Sequence, residues 1–147
     1  MNCYNVIIFK LTKSKEMGYK NREEWVEKYF KNNLSSRDKN FFCIGKKLNQ
    51  NRFNMCKIAY FLFEGELIGQ AKFTGEIHLN YKKVERKYKN GYEIKDVTIF
   101  EHPISINLED IGKSNNMRSS FIYVERPVDK RFVKNLVDKE INDIMDF

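Results

Sequence analysis

Gly45-Lys46-Lys47-Leu48-Asn49-Gln50-Asn51-Arg52 sets a glycine, two cations and an amide at fixed spacing, G-x-K-x-x-Q-x-R. The ammonium of Lys47 and the guanidinium of Arg52 suit a phosphate or a base edge, because both donate charge-assisted hydrogen bonds. Lys46 adds a further positive charge. Gln50 can donate and accept hydrogen bonds, but its amide cannot take a proton as a carboxylate does. Phe53 follows in polar surroundings, and its ring is read as a stacking partner for a splayed-out base. Lys13-Ser14-Lys15, just past the first apolar run, is a second basic and hydroxylic element.

Other chemistries find little footing. His78 and His102 stand apart from any H-E-x-x-H pattern. Cys3, Cys43 and Cys56 have neither a metal-ligand spacing nor a disulfide framework; Cys3 and Cys43 read as small buried hydrophobes. There is no P-loop and no G-x-G-x-x-G. The expectation is therefore no metal, no cofactor and no catalytic residue placed by a motif.

Charge points to a polyanion. Residues 1–60 hold 13 Lys/Arg against 5 Asp/Glu, a net of +8, while 61–101 balance at 7 and 7 and 102–147 hold 7 and 8. A one-sided positive field suits nucleic acid. The basic side chains of 10–57 are expected to share a face, with the acidic C-terminal segment away from it. The run from Tyr81 to Lys89 adds Lys82, Lys83, Arg86, Lys87 and Lys89 against Glu85, as an exposed connection that suits a phosphate backbone or only solvent. Unpaired cysteines, no leader-like start and no apolar run of membrane length predict a cytoplasmic protein with no membrane partner.

The elements that must position these residues follow from periodicity. Val6-Ile7-Ile8-Phe9 predicts a buried strand over 4–11. Asn21 with Glu24 is a capping box, opening an amphipathic helix over 22–33 with Trp25, Val26, Tyr29 and Phe30 on its core side. Phe41–Ile44 is a second strand, and 45–54 a polar basic loop. Cys56–Phe63 and Leu67–Phe73 form a hairpin about Glu64-Gly65. Asn90-Gly91 signals a turn before a strand over 92–100, where a slip in alternation predicts a bulge near Lys95-Asp96. Asn107 caps one helical turn, Phe121–Val124 is the last strand, and Pro127 opens a C-terminal helix with Val128, Phe132, Val133, Leu136, Val137 and Ile141 on its apolar side. Tyr60 and Tyr123 lie in strands and read as structural. The prediction is an α+β fold: about six strands in a mixed β-barrel or strongly curved sheet, with an early helix and a C-terminal helix.

The spacing of Gly45, Lys47, Gln50 and Arg52 resembles the ASCH signature G-x-K-x-x-E-x-R of the PUA-like superfamily. The surroundings agree: a strand and helix before it, the hairpin Ile58–Ala71 after it, then Asp96-Val97-Thr98-Ile99-Phe100 running into Pro103-Ile104-Ser105. PUA-like domains, the EVE and YTH relatives included, often read this way. The resemblance implies one PUA-like domain over 1–147, of ASCH/EVE type. It implies RNA or modified nucleic acid as partner, in a basic groove built from Lys13, Ser14, Lys15, Lys46, Lys47, Gln50, Arg52 and Phe53. Some ASCH relatives hydrolyse modified nucleosides or RNA, so a small hydrolase using Lys47 with Thr12 or Thr74 is the alternative. The family glutamate is Gln50 here, which removes the base such chemistry would use. A second alternative is a non-catalytic protein-interaction domain working through the apolar side of the C-terminal helix.

Overall fold

A computed structural model describes residues 4–11, 19–33, 41–44, 46–79, 90–115 and 119–145. Lys13, Ser14, Lys15, Thr12, Gly45 and the 81–89 run lie outside the described residues.

The chain is α+β. Six strands, β1 (Asn5–Leu11), β2 (Phe41–Ile44), β3 (Cys56–Phe63), β4 (Glu66–His78), β5 (Asn90–Ser105) and β6 (Phe121–Val124), form one sheet in the order β2-β5-β4-β3-β1-β6. β1 pairs parallel with β3, and the other neighbours are antiparallel, so the sheet is mixed. It curls into a half-barrel. β1 and β2 are separated by three strands in the sheet order, yet the rings of Phe9 and Phe42 meet across the concave side at 4.6 Å.

Alternation along each strand sends side chains to two cores. The concave core takes Ile7, Phe9, Phe61, Phe73 and Tyr92, and is covered by the early helix. That helix opens as α1 (Arg22–Glu24) and continues as a π-helical run, Trp25–Asn33. Its cap is the expected one: Asn21 Oδ1 accepts from the Glu24 N–H at 2.9 Å, and Glu24 Oε2 accepts from the Lys20 N–H at 2.9 Å. Trp25, Tyr29 and Phe30 are buried, and Val26 is half-buried. The convex core takes Val6, Ile8, Tyr60, Leu62 and Phe100, and is covered by α3 (Pro127–Met145) and a 3-10 turn, Leu108–Ile111, capped by Asn107.

The hairpin and the bulge stand where alternation put them. Glu64 and Gly65 turn with φ of 49° and 82°, the left-handed region that a tight hairpin requires. Between the pairs Gln70↔Thr98 and Lys72↔Lys95, β5 holds one extra residue, and Asp96 there has φ 52°.

Three expectations need correction. Residues 45–54 are not all loop, because Gln50–Asn54 form a short helix, α2, capped by Asn49. Asn90-Gly91 is not a turn but the start of β5, paired with β2. Gly91 serves close approach instead, since a Cβ there would lie 3.2 Å from the Phe41 Cβ. Val128 is 57% exposed, outside the apolar side of α3; Val133 and Val137 are buried in the convex core, and Phe132 and Leu136 pack against it partly buried.

Candidate nucleic-acid interface

The segment that follows Lys46 and Lys47 is anchored at Leu48, Asn49 and Phe53. Leu48 and Phe53 are buried in the concave core. The Leu48 N–H donates to the Tyr92 hydroxyl at 2.8 Å, and the Asn49 N–H donates to the Tyr123 hydroxyl at 3.1 Å. Asn49 Oδ1 in turn accepts from the Arg52 N–H at 3.0 Å, closing the cap of α2. Tyr92 belongs to β5 and Tyr123 to β6, near opposite margins of the sheet. Two backbone amides of the segment thus tie those margins together across the mouth of the half-barrel. Burial pushes both phenols above their ordinary range, so at neutral pH each stays a neutral hydroxyl that can accept these bonds.

Arg52 is engaged within the protein. Its Nε donates to Glu125 Oε2 at 3.1 Å, its Nη2 binds Glu125 Oε1, and the guanidinium carbon lies 3.8 Å from the Tyr123 ring centroid. The hydrogen bond from Arg52 holds the Glu125 carboxyl below the usual range. On the inner side the Cys56 thiol donates to the Arg52 carbonyl at 3.2 Å, and burial pushes that thiol up to about 12. It is therefore no ready nucleophile. Both partners of the ion pair are more than one third exposed, at 46% and 35%. Solvent screening limits the pair to about 1 kcal/mol or less. Because the folded-state value of Glu125 is depressed, its contribution is complete above the ordinary glutamate range and is lost as pH falls through the lowered value. The difference in melting between wild type and Glu125→Gln should therefore be small at neutral pH and close to zero in acid. A difference that grows on acidification contradicts the pairing.

Lys46 and Lys47 are exposed, and neither forms an ion pair among the described residues. The Gln50 amide donates to Asn54 Oδ1 at 2.8 Å along the outer face of α2. Phe53 corrects an expectation. It is 2% exposed, with its ring 5.1 Å from that of Phe73 and 5.0 Å from that of Tyr92, so it offers no face to a base. Helical geometry turns Phe53 inward while its polar neighbours Asn51, Arg52 and Asn54 stay outside. Thr74 is exposed on β4, where its Oγ1 accepts from the Glu76 N–H at 3.3 Å.

Strand directions gather charge at one end of the sheet. β1 and β3 begin there, β4 and β6 finish there, and β5 starts there. α2 precedes β3 at this end, and α3 opens at it, with Lys130 Nζ donating to Asn5 Oδ1 at 3.1 Å. Lys46, Lys47, Arg52, Lys57, Arg126 and Lys130 lie toward that end together with Glu76, Glu93, Glu125 and Asp129; Arg52 is paired with Glu125 and Arg126 with Asp129, and Lys113 acts on Glu125 from close by. Glu64, Glu66, Glu101 and Glu140 lie toward the opposite end, where Glu140 accepts from the His102 N–H. The expected division by sequence position does not hold. Lys28 and Lys31 pair with glutamates on their own helix, and the C-terminal segment supplies Glu125 and Asp129 as well as Arg126 and Lys130 to the end where α3 opens. Sequence reasoning missed Glu125, Tyr92 and the role of Tyr123, because Arg52 and Glu125 stand 73 residues apart with no motif linking them.

No family model and no curated protein matches the sequence. Among solved structures, the YTH domain of the Zygosaccharomyces rouxii MRB1 protein, in complex with N6-methyladenosine RNA, is similar over 89% of this chain and 86% of that chain, with 12% sequence identity and a TM-score of 0.46.

Proposed function

We propose that residues 1–147 act as one PUA-like domain that binds RNA, modified or not, through the basic end of the half-barrel. The observation that carries this reading is the Lys46–Asn54 segment: tyrosine hydroxyls and two buried anchors hold it, and it presents Lys46 and Lys47 to solvent without acidic partners among the described residues. A held cation binds phosphate with less ordering cost than one on a slack loop. The net charge of +7 over the whole chain supports a polyanionic partner in general. Among the described residues the carboxylate hydrogen-bonded to the segment is Glu125, held in its ionised form by Arg52, and the role we assign to the segment is binding rather than hydrolysis. The cytoplasm is the compartment we assign, where the free thiols of Cys43 and Cys56 stay reduced.

Fluorescence anisotropy with labelled single-stranded RNA at two salt concentrations tests this. Lys46→Ala with Lys47→Ala should weaken binding about tenfold, or about 1.4 kcal/mol. The salt dependence should become shallower by about two units of slope, since roughly one counterion is released per phosphate contact. Melting should hardly move, because exposed charges contribute little to folding. Unchanged affinity in the folded double variant overturns the assignment.

A further inference from the structure

We propose that Tyr4 is a stacking platform for an unpaired nucleobase, flanked by Lys57 and Lys130 as phosphate contacts, so that the domain prefers single-stranded over duplex nucleic acid. The inference rests on the nucleic-acid reading above and names a second contact region for it. Tyr4 is an aromatic ring that the fold leaves 51% exposed, just before β1 in a chain whose other described aromatics are largely inside. The Asn5 N–H donates to the Met55 carbonyl at 2.7 Å, which fixes the backbone next to Tyr4 against the end of α2. Lys57 Nζ lies 5.4 Å from the Tyr4 ring centroid, within cation–π reach. Lys130 reaches the same corner through Asn5. Neither lysine has an acidic partner among the described residues, so both charges remain available to an anion.

The chemistry of the patch selects its occupant. A flat exposed ring favours a flat, polarisable partner, and two ammonium groups without acidic partners among the described residues favour an anion. A nucleobase with its phosphate combines the two. A protein segment would have to bring both an apolar group and acids to the same corner. Lys57 covers part of one ring face, and a base takes the other. Bases in a duplex are stacked on each other and closed to a protein ring, whereas a single strand can present them. The patch lies at the same end of the sheet as Lys46 and Lys47, so one strand can pass both.

The test compares an oligouridine of about ten nucleotides, an ordinary site size, with an abasic backbone of the same length and charge. Tyr4→Leu keeps apolar bulk and removes the ring; Tyr4→Phe keeps the ring. Tyr4→Leu should weaken oligouridine binding about tenfold and leave abasic binding unchanged, with Tyr4→Phe close to wild type. Lys57→Ala should weaken both ligands and reduce the salt slope by about one unit. Equal losses on the two oligomers, or none with Tyr4→Leu, overturn the platform. If Lys46→Ala with Lys47→Ala still costs affinity in that case, the nucleic-acid reading survives without it. A wild-type protein that binds neither oligomer overturns both, and an acidic peptide binding in their place assigns the patch to a protein.

Discussion

Phe53→Ala is expected to destabilise the protein by about 3–5 kcal/mol, the usual range for truncating a buried aromatic. Phe53 is among the fully buried side chains and packs against Phe73 and Tyr92. The same Tyr92 accepts the Leu48 amide, so the cavity opens beside the bond that holds the basic segment. In a chain of 147 residues such a loss should lower the melting midpoint by roughly 10 °C. Urea unfolding measures it directly, and the slope with denaturant should stay unchanged. The stacking role suggested by its place among polar residues makes the opposite prediction, namely lost RNA affinity at full stability. A stable Phe53→Ala protein with weakened binding would return Phe53 to the interface.

Tyr29→Ala should cost a similar amount, about 3–5 kcal/mol, from the other side of the concave core. Tyr29 is 4% exposed, and its ring lies 5.3 Å from that of Trp25, 5.1 Å from Phe30 and 6.0 Å from Phe42. Its loss would detach the early helix from β2 through that one ring. Domains of this size carry about 5–15 kcal/mol of net stability, so the variant should stay folded with a much smaller margin. Circular dichroism melts of wild type and variant decide the matter. A midpoint shift near zero would mean that the helix does not pack as described.

Local pattern alone determined a large part of this fold. Runs of apolar and β-branched residues placed β1, β2, β3 and β6 within a residue of their observed bounds, because a buried strand must present such a run wherever it goes. The Asn21 and Asn107 caps were legible because each is a bond between residues three apart or fewer. Glu64-Gly65 and the Asp96 bulge were legible because a turn or a slip in alternation lies within a few residues.

What the Lys46–Asn54 segment does was decided elsewhere. Arg52 is held by Glu125 and Tyr123, Leu48 by Tyr92, and Phe53 by Phe73, all partners beyond the reach of any local window. Asn90-Gly91 has the composition of a turn, yet pairing with β2 extends it into a strand, since ladder bonds and close packing on Phe41 outweigh a local preference. Charge behaved likewise. The sequence by itself determined that the first 60 residues are basic, but only the tertiary structure decided which cations are neutralised and which are gathered. Electrostatic pairing depends on distance in space, and the parallel β1–β3 register together with the entry of α3 set those distances.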